Sequence, residues 1–407
     1  MNKRALILWA IFALVILIPL LIYLAPDVAQ FFYSIIAFFA PIWLPALLAW
    51  IAWPLWLRFA RSRYWSRVPY AILELKPGPE TPPSAAAMEI VLNSLYYRTE
   101  ITKVDFLLGR MREFFSFELY AHAGGVRFFA RVPERLKDNF ASRLQAEYHD
   151  IEVHEVPDYS REIAFDPGKL RVVMQEYTLA RPDSYPLKTF TAYESEPDRH
   201  DPLADLVESL AGIGENEHVL LSFIVRPHQR DRQNLRDDPT DSLHEDAHRE
   251  IAKLTGPRGD VNALPPETRM LIRAMEAALA KPSFDCGVRA LYIAGKEHFD
   301  ESYGTKLAHL LDPFGDPGLN SFAVYHPHEK KGFFLSELFE SSPLFASEHL
   351  MNLYRRRAFF APPYYGEAFV LNTEELATVY HLPHARRGSA LAQMRGLSLE
   401  PPENLPV

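Results

Sequence analysis

Apolar residues concentrate in the first sixty positions, where they form two long runs. The first, from Ala5 to Ala25, is uncharged and supplies about the twenty residues that a helix needs to cross ~30 Å of hydrocarbon. The second extends from Phe31 to Leu57 and contains three prolines, which are expected to kink it. Because Pro26 to Gln30 leave room only for a tight turn, the pattern predicts a transmembrane helical hairpin over residues 1–68.

Positive charges flank the predicted hairpin on both sides. Two basic residues precede the first run and four arginines follow the second: Lys3 and Arg4, then Arg58, Arg61, Arg63 and Arg67. By the positive-inside rule both ends are cytoplasmic, and the four arginines are expected at the lipid headgroups. A cleaved signal peptide is the alternative, but the first run is longer than a signal core and lacks a small-residue cleavage site. We therefore expect a multi-pass protein of the inner (plasma) membrane with a cytoplasmic N-terminus and soluble region.

Beyond the hairpin the hydrophobic pattern alternates between strand and helix periods over residues 69–160. The predicted elements are strand Tyr70 to Lys76, helix Ala85 to Tyr97, strands Phe114 to His122 and Val126 to Val132, a helix from Pro133 to Tyr148, and strand Ile151 to Val156. Ser84 is a plausible N-cap for the first helix, and Gly124 lies in the turn between the paired strands. The order βαββαβ predicts a ferredoxin-like module, an antiparallel sheet with two helices on one face.

The same order recurs over residues 161–330, with an interruption. The predicted elements are strand Leu170 to Leu179, helix Pro202 to Ala211, strand His218 to Arg226, helix Glu267 to Ala280, strand Val288 to Ala294, a helix near Lys296 to Leu311, and strand Ser321 to Tyr325. Residues 227–266 form a charged insertion that is too poor in apolar residues to build a core. The fold class is therefore α+β, a hairpin followed by two ferredoxin-like modules. A C-terminal helical segment over 331–382 and a linker-like tail over 383–407 complete the predicted organisation.

Composition narrows the chemistry of the soluble region. Cys286 is the single cysteine, which rules out an internal disulfide and suits a reducing compartment. It precedes a predicted strand and is interpreted as a small core residue. The formal net charge of −9 argues against a generally basic surface for nucleic acid.

One stretch matches a catalytic motif. His244, Glu245 and His248 fit the HExxH pattern, in which two imidazoles on one helical face bind zinc and the glutamate acts as general base. No third ligand stands at a familiar spacing, and Ser242 with Glu245 forms a capping box in front of a modest apolar stripe. We favour a surface helix, with a zinc-dependent membrane protease as the alternative.

A nucleotide-binding loop is missing from the sequence. Phosphate binding by a P-loop needs GxxxxGK followed by Ser or Thr, and this pattern does not occur. ATP hydrolysis by this chain is therefore not expected, and neither an enzymatic activity nor a cofactor is predicted.

A basic run, Arg355, Arg356 and Arg357, is flanked by aromatic residues. Guanidinium groups bind phosphate and aromatic rings stack on bases, so the run is a candidate contact for nucleic acid or anionic lipid. A solvated helix end is the simpler interpretation, given the acidic balance of the chain.

Several stretches together suggest a family likeness: FSFELYAHAGGVRFFARVP with IEVHEVPDYS, then HVLLSFIVRP, KPSFDCGVRALYIAG, and FVLNTEELATVYHLP with PPENLP. They resemble the N-terminal region of membrane-anchored, conjugation-type ATPases of candidate-phyla bacteria. The resemblance implies a membrane hairpin and an accessory region like that of type IV secretion ATPases, followed by a P-loop motor. This sequence ends at Val407 without one, so we expect a separate polypeptide to supply the motor, or a shortened relative.

These observations favour a non-enzymatic, membrane-anchored scaffold of a type IV secretion or conjugation-like machine. It is expected to dock a separate P-loop ATPase or further copies of itself through strand edges and open sheet faces. The zinc protease and direct binding of DNA or anionic lipid stay open as alternatives.

Overall fold

A computed structural model of the chain describes residues 26–78, 81, 84–97, 101–195, 201–229, 242–256, 261–325 and 343–383. The chain divides into two compact units, Met1–Ala60 and Arg61–Val407. The second unit is called the body below. Helices and an antiparallel sheet both contribute to it, as the α+β class requires.

One long apolar helix, α1, extends over Pro26–Trp65, and its last turn from Arg61 belongs to the body. Within the described ranges it is the one helix long and apolar enough to span a membrane. The tight turn predicted at its start is wrong, because Pro26 and the residues after it form the first helical turn. Proline is tolerated there because the first N–H groups of a helix have no partner inside it. The first apolar run lies outside the described residues, so the hairpin stays a prediction.

The first half of the body follows the predicted order of elements. It contains β1 Tyr70–Pro77, α2 Ala85–Ser94, α3 Lys103–Leu107, β2 Phe115–His122, β3 Gly125–Pro133, α4 Lys137–Glu147 and β4 Ile151–Glu155. The hydroxyl of Ser84 accepts the amide of Ala87 and caps α2. Gly124, with φ +78°, makes the turn between β2 and β3.

The second half repeats this pattern after a short helix. Its elements are α5 Tyr159–Glu162, β5 Leu170–Leu179, α6 Phe190–Glu194, α7 Pro202–Leu210, β6 Glu217–Pro227, α8 Ser242–Thr255, α9 Pro266–Leu279, β7 Ser283–Gly295, α10 Tyr303–Ala308 and β8 Phe322–Val324. The predicted insertion contributes α8, and residues 230–241 within it lie outside the described residues. Cys286 is fully buried in β7, which confirms its predicted place in the core.

The C-terminal region is part of the body and is not wholly helical, in contrast to the predicted helical segment 331–382. It contains α11 Pro343–Arg355, β9 Phe360–Ala361, β10 Tyr364–Tyr365, β11 Phe369–Asn372 and α12 Thr373–Val379. Strand β11 pairs with β7 from Phe369↔Cys286 to Asn372↔Ser283. Strand β5 pairs with β7 only from Val288 onward, so β11 supplies hydrogen bonds to the remaining edge.

The strands form one continuous antiparallel sheet in the order β4-β1-β3-β2-β6-β7-β5-β8. Each half therefore has the same internal order, in which the fourth strand is outermost, followed by the first, third and second. Strands β2 and β6 join the halves through eight residue pairs, from Phe115↔Val225 to His122↔His218. The two predicted modules share one sheet.

Both faces of the sheet are covered. Helices α2, α4, α7, α10 and α12 pack with the main core on one face. The other face packs against Tyr159 of α5 and Met351 and Tyr354 of α11. The open sheet face expected for docking is thus occupied by the chain itself.

Candidate functional site

A row of side chains that are polar except for Phe129 crosses the sheet beneath α11. Cross-strand neighbours along the row are Glu74, Phe129, Glu118, Ser222, Arg289 and Glu176. In the second half of the body, Arg289 Nη2 lies 2.5 Å from Glu176 Oε1, and both side chains are buried. Burying charges is costly unless they are paired, so this row needs complementary partners.

Arg357 supplies the partner in the first half of the body. Its Nε and Nη2 donate to the two carboxylate oxygens of Glu118 at 2.9 Å each, and Nη1 lies 2.6 Å from Asp158 Oδ2. Burial alone would raise the pKa of Glu118, but Arg357 outweighs it and, with hydrogen bonds from Ser116 and Tyr159, holds that pKa below its usual value. The guanidinium is 1% exposed. The expected contact with phosphate does not fit Arg357, because its donors are already committed inside the protein.

The same residue ends α11. Arg357 has φ +48°, the left-handed conformation that usually favours glycine. Its amide donates to Tyr354 O at 2.7 Å, and the amide of Ala358 donates to Leu353 O at 3.0 Å, the pattern of a Schellman cap. This sharp ending leaves Arg356 exposed, while Arg355 donates to the carbonyls of Ser160 and Ile163.

A cleft of about 680 Å³ opens beside this helix end and is called the basic cleft below. It is lined by Ser62, Trp65, Ser66, Val68, Tyr70, Ala71, Ile72, Arg131, Glu155, Val156, Pro157, Asp158, Arg161, Arg355, Arg356 and Pro362. Four arginines and two acids therefore line the same cleft. They come from three separate parts of the sequence: β3, residues 155–161 and residues 355–356.

Arg131 lines the base of the basic cleft, and no acid among the described residues forms an ion pair with it. Its guanidinium lies 3.6 Å above the ring of Tyr70. The Nη1 atom is buried and has no hydrogen-bond partner within the described ranges. Burial, together with the positive charge of Arg357, lowers the pKa of Arg131 to about 10. The side chain is therefore a half-buried cation, and an anion could stabilise its buried Nη1.

The end of α1 borders the same cleft. Ser62, Trp65 and Ser66 line it, and Trp65 stacks on Phe114 of the body with ring centroids 4.4 Å apart. The cleft therefore combines the end of α1 with Arg355 and Arg356 of the later basic run, whereas Arg61, Arg63 and Arg67 are not part of its lining.

The arginines near the end of α1 differ in their surroundings. Arg61 donates to the hydroxyl of Tyr365 at 3.3 Å and lies 4.9 Å from the ring centroid of Phe106. Arg58, Arg63 and Arg67 have exposed side chains. Their expected contact with lipid headgroups stays a prediction.

The HExxH stretch forms the first turns of α8. Leu243 and Ala247 are buried, while His244, Glu245 and His248 are exposed. A cavity of about 390 Å³ is lined on this helix by other residues and by neither histidine. Over the part of the chain that the structure describes, no three His, Cys, Asp or Glu side chains group as metal ligands. The zinc hypothesis stays a prediction.

A family model described as Domain of unknown function (DUF8128) matches residues 69–321. The chain belongs to this family. Comparison with curated proteins gives no match. The DUF8128 match begins one residue before β1 and ends one residue before β8. It therefore contains Arg131, whereas α1 and Arg355 to Arg357 lie outside it.

Proposed function

We propose that this DUF8128 protein is a membrane-anchored, non-enzymatic scaffold of a type IV secretion or conjugation-like machine. The observation that carries the proposal is that α1 has the length and composition of a membrane span and that its last turn belongs to the body. Its last turn from Arg61 is built into the sheet-containing body, where Trp65 packs on Phe114. The resemblance of the sequence to the accessory regions of conjugation ATPases supplies the class of machine.

The finer organisation belongs to the same proposal. The first apolar run forms a hairpin with α1, and both ends face the cytoplasm at the inner membrane. The halves of the body are two ferredoxin-like modules. Their support is the βαββαβ order together with the sheet order, in which all neighbouring strands are antiparallel in both halves.

The outer strand β4 is the docking edge that we assign to a separate P-loop ATPase or to another copy of the chain. Glu152, His154 and Glu155 are exposed along it. Charged side chains on an edge discourage strand addition by the wrong partner. Contact through side chains of opposite charge therefore suits β4 better than addition of a strand.

Affinity purification of the full-length protein from its host in mild detergent, followed by mass spectrometry, tests this proposal. We expect a P-loop ATPase near stoichiometry, with recovery reduced by Glu152→Lys on β4. The matched variant Glu208→Lys reverses an exposed charge on α7 and should keep the ATPase. Recovery of no ATPase, or equal recovery with both variants, would contradict docking at β4.

The basic cleft favours a second function, the binding of an anion. Its half-buried Arg131 and its place beside the end of α1 are independent of any docked ATPase. Nucleic acid stays an alternative ligand, and the chemistry of the cleft is developed next.

A further inference from the structure

Four arginines line the basic cleft against two acids, and each of these acids also contacts a cation outside the lining. Asp158 is held by Arg357 at 2.6 Å, and Glu155 Oε2 lies 2.9 Å from Lys137 Nζ. Arg161 lies 3.9 Å from Asp158 but is mostly exposed. The lining arginines therefore leave an excess of positive charge that these carboxylates do not cancel.

The donors in the cleft suit a tetrahedral oxyanion. Arg131 keeps Nη1 without a partner at the base, and Arg356 is exposed at the rim. Arg355 uses Nε and Nη2 for backbone carbonyls, and no bond of its Nη1 is seen to the described residues. Guanidinium groups bind phosphate oxygens through strong charge-assisted hydrogen bonds. A phosphate group therefore fits these donors better than a single carboxylate does.

An exposed apolar tip lies near the same end of α1. Val104 and Leu108 are 64% and 65% exposed, and Leu107 beside them is also exposed. They belong to α3 and its end, which Arg61 contacts through the ring of Phe106. Apolar side chains next to basic ones are typical of a bilayer interface. Here the basic residue is Arg61, which follows a membrane-length apolar stretch.

We propose that the basic cleft binds the phosphate of an anionic phospholipid headgroup, with Arg131 at its base and Arg355 and Arg356 at its rim. The apolar tip, Val104, Leu107 and Leu108, enters the same bilayer beside the bound lipid. The site thereby ties the body to an anionic membrane surface in addition to the anchoring helix. It needs no ATPase partner, so it can fail or hold independently of the scaffold proposal.

Lipid binding is tested on the full-length protein in nonionic detergent micelles. Phosphatidylglycerol or phosphatidylcholine with the same acyl chains is titrated in, and the thermal midpoint and bound lipid are followed by fluorescence and native mass spectrometry. We expect phosphatidylglycerol to bind and raise the midpoint. Arg356→Gln should weaken its apparent affinity about fivefold, the equivalent of ~1 kcal/mol. The matched variant Arg143→Gln, an exposed arginine on α4, should bind as the wild type does.

Four results would overturn the assignment. Equal binding of phosphatidylcholine would show that the site does not select an anionic headgroup, and equal weakening by Arg143→Gln would show that the lipid does not bind in the basic cleft. Full stabilisation by inorganic phosphate alone would indicate a soluble ligand, and displacement of the lipid by a short single-stranded oligonucleotide would indicate nucleic acid. Because Arg131→Gln alters a half-buried side chain and can impair folding, the decision rests on Arg356→Gln.

Insertion of the apolar tip has its own measurement. Leu108→Cys and the matched Met270→Cys, which replaces an apolar residue 70% exposed on α9, are spin-labelled in phosphatidylglycerol-containing vesicles. The native Cys286 is fully buried and should not react. We expect the label at 108 to be more accessible to oxygen than to a water-soluble nickel complex, and the label at 270 to show the reverse. The same accessibility at both positions would refute insertion.

Discussion

Replacing Arg357 by leucine should destabilise the body strongly, because it leaves two acids without their shared cation. Glu118 is 0% exposed, and Asp158 is largely buried. Removing one partner of a buried ion pair costs about 3–5 kcal/mol, since the remaining charge has lost its water and its counter-ion. A domain of this size loses roughly 2 °C in melting temperature per kcal/mol, so we expect a decrease of about 6–10 °C.

The pH dependence identifies the cause of this loss. In the wild type, the pKa of Glu118 lies below its ordinary value. Its stabilising contribution is therefore present above the ordinary pKa and is lost as pH falls through the folded value. In Arg357→Leu, unopposed burial should raise that pKa above the ordinary value, so the variant is stabilised as pH falls. The difference between the two proteins should be largest at about pH 7–8 and shrink towards about pH 4–5.

The assay is thermal unfolding of the full-length protein in a zwitterionic detergent without added lipid, across that pH range. Arg356→Leu is the matched control, because it makes the same substitution at the exposed neighbouring residue and should cost less than about 0.5 kcal/mol. Equal effects of the two substitutions would refute the argument. So would a loss in Arg357→Leu that does not change with pH.

Three further predictions use the same unfolding assay. Gly287→Ala should lower the free energy of unfolding by about 1–3 kcal/mol, because its Cβ would overlap the ring of Phe359. Gly304→Ala has open space around it and should not lower stability, so equal effects of the two substitutions would contradict this prediction. Burial raises the pKa of Glu375 to about 7, so wild-type stability should fall as pH rises from about 4.5 to about 7, and Glu375→Gln should weaken that fall. Burial and a neighbouring histidine lower the pKa of His218 to about 4, so stability should fall as pH drops from about 6.5 to about 4; an unchanged profile in His218→Gln would contradict the assignment.

Local periodicity predicted the strands of the body closely. Strand β5 is predicted over Leu170 to Leu179 and has those bounds. The alternation of apolar and polar residues within a strand depends only on which of its own side chains face the core, so it can be recognised locally. Pairing between distant strands has no such local signal. The Phe115↔Val225 pair that begins the contact between the halves joins residues more than a hundred positions apart.

The run of three arginines shows where local interpretation fails. A basic run at a helix end is usually solvated, and nothing beside Arg357 in the sequence indicates that it is buried. The available signal lies in β2, where Glu118 is the one charged residue in the stretch FSFELYA. A buried acid requires a cation, but the sequence does not say which arginine supplies it.

The basic cleft was beyond prediction for the same reason. Its arginines come from β3, from α5 and from the end of α11, and only the folded sheet places them together. Among the arginines of the cleft, Arg131 has a local signal that it faces the interior, because it shares a face of β3 with Phe129, which is buried.

The contact between β2 and β6 joins two similar halves within one chain, in the way that an interface joins two identical subunits. Two copies of a single half would meet only at sufficient concentration, whereas covalent linkage holds the halves at an effective concentration on the order of mM, so dilution does not separate them. Linkage also removes the requirement of symmetry, under which every residue of the contact would appear twice. One half is therefore free to carry Arg131 and its cleft, while the other pairs Arg289 with Glu176 inside its own core.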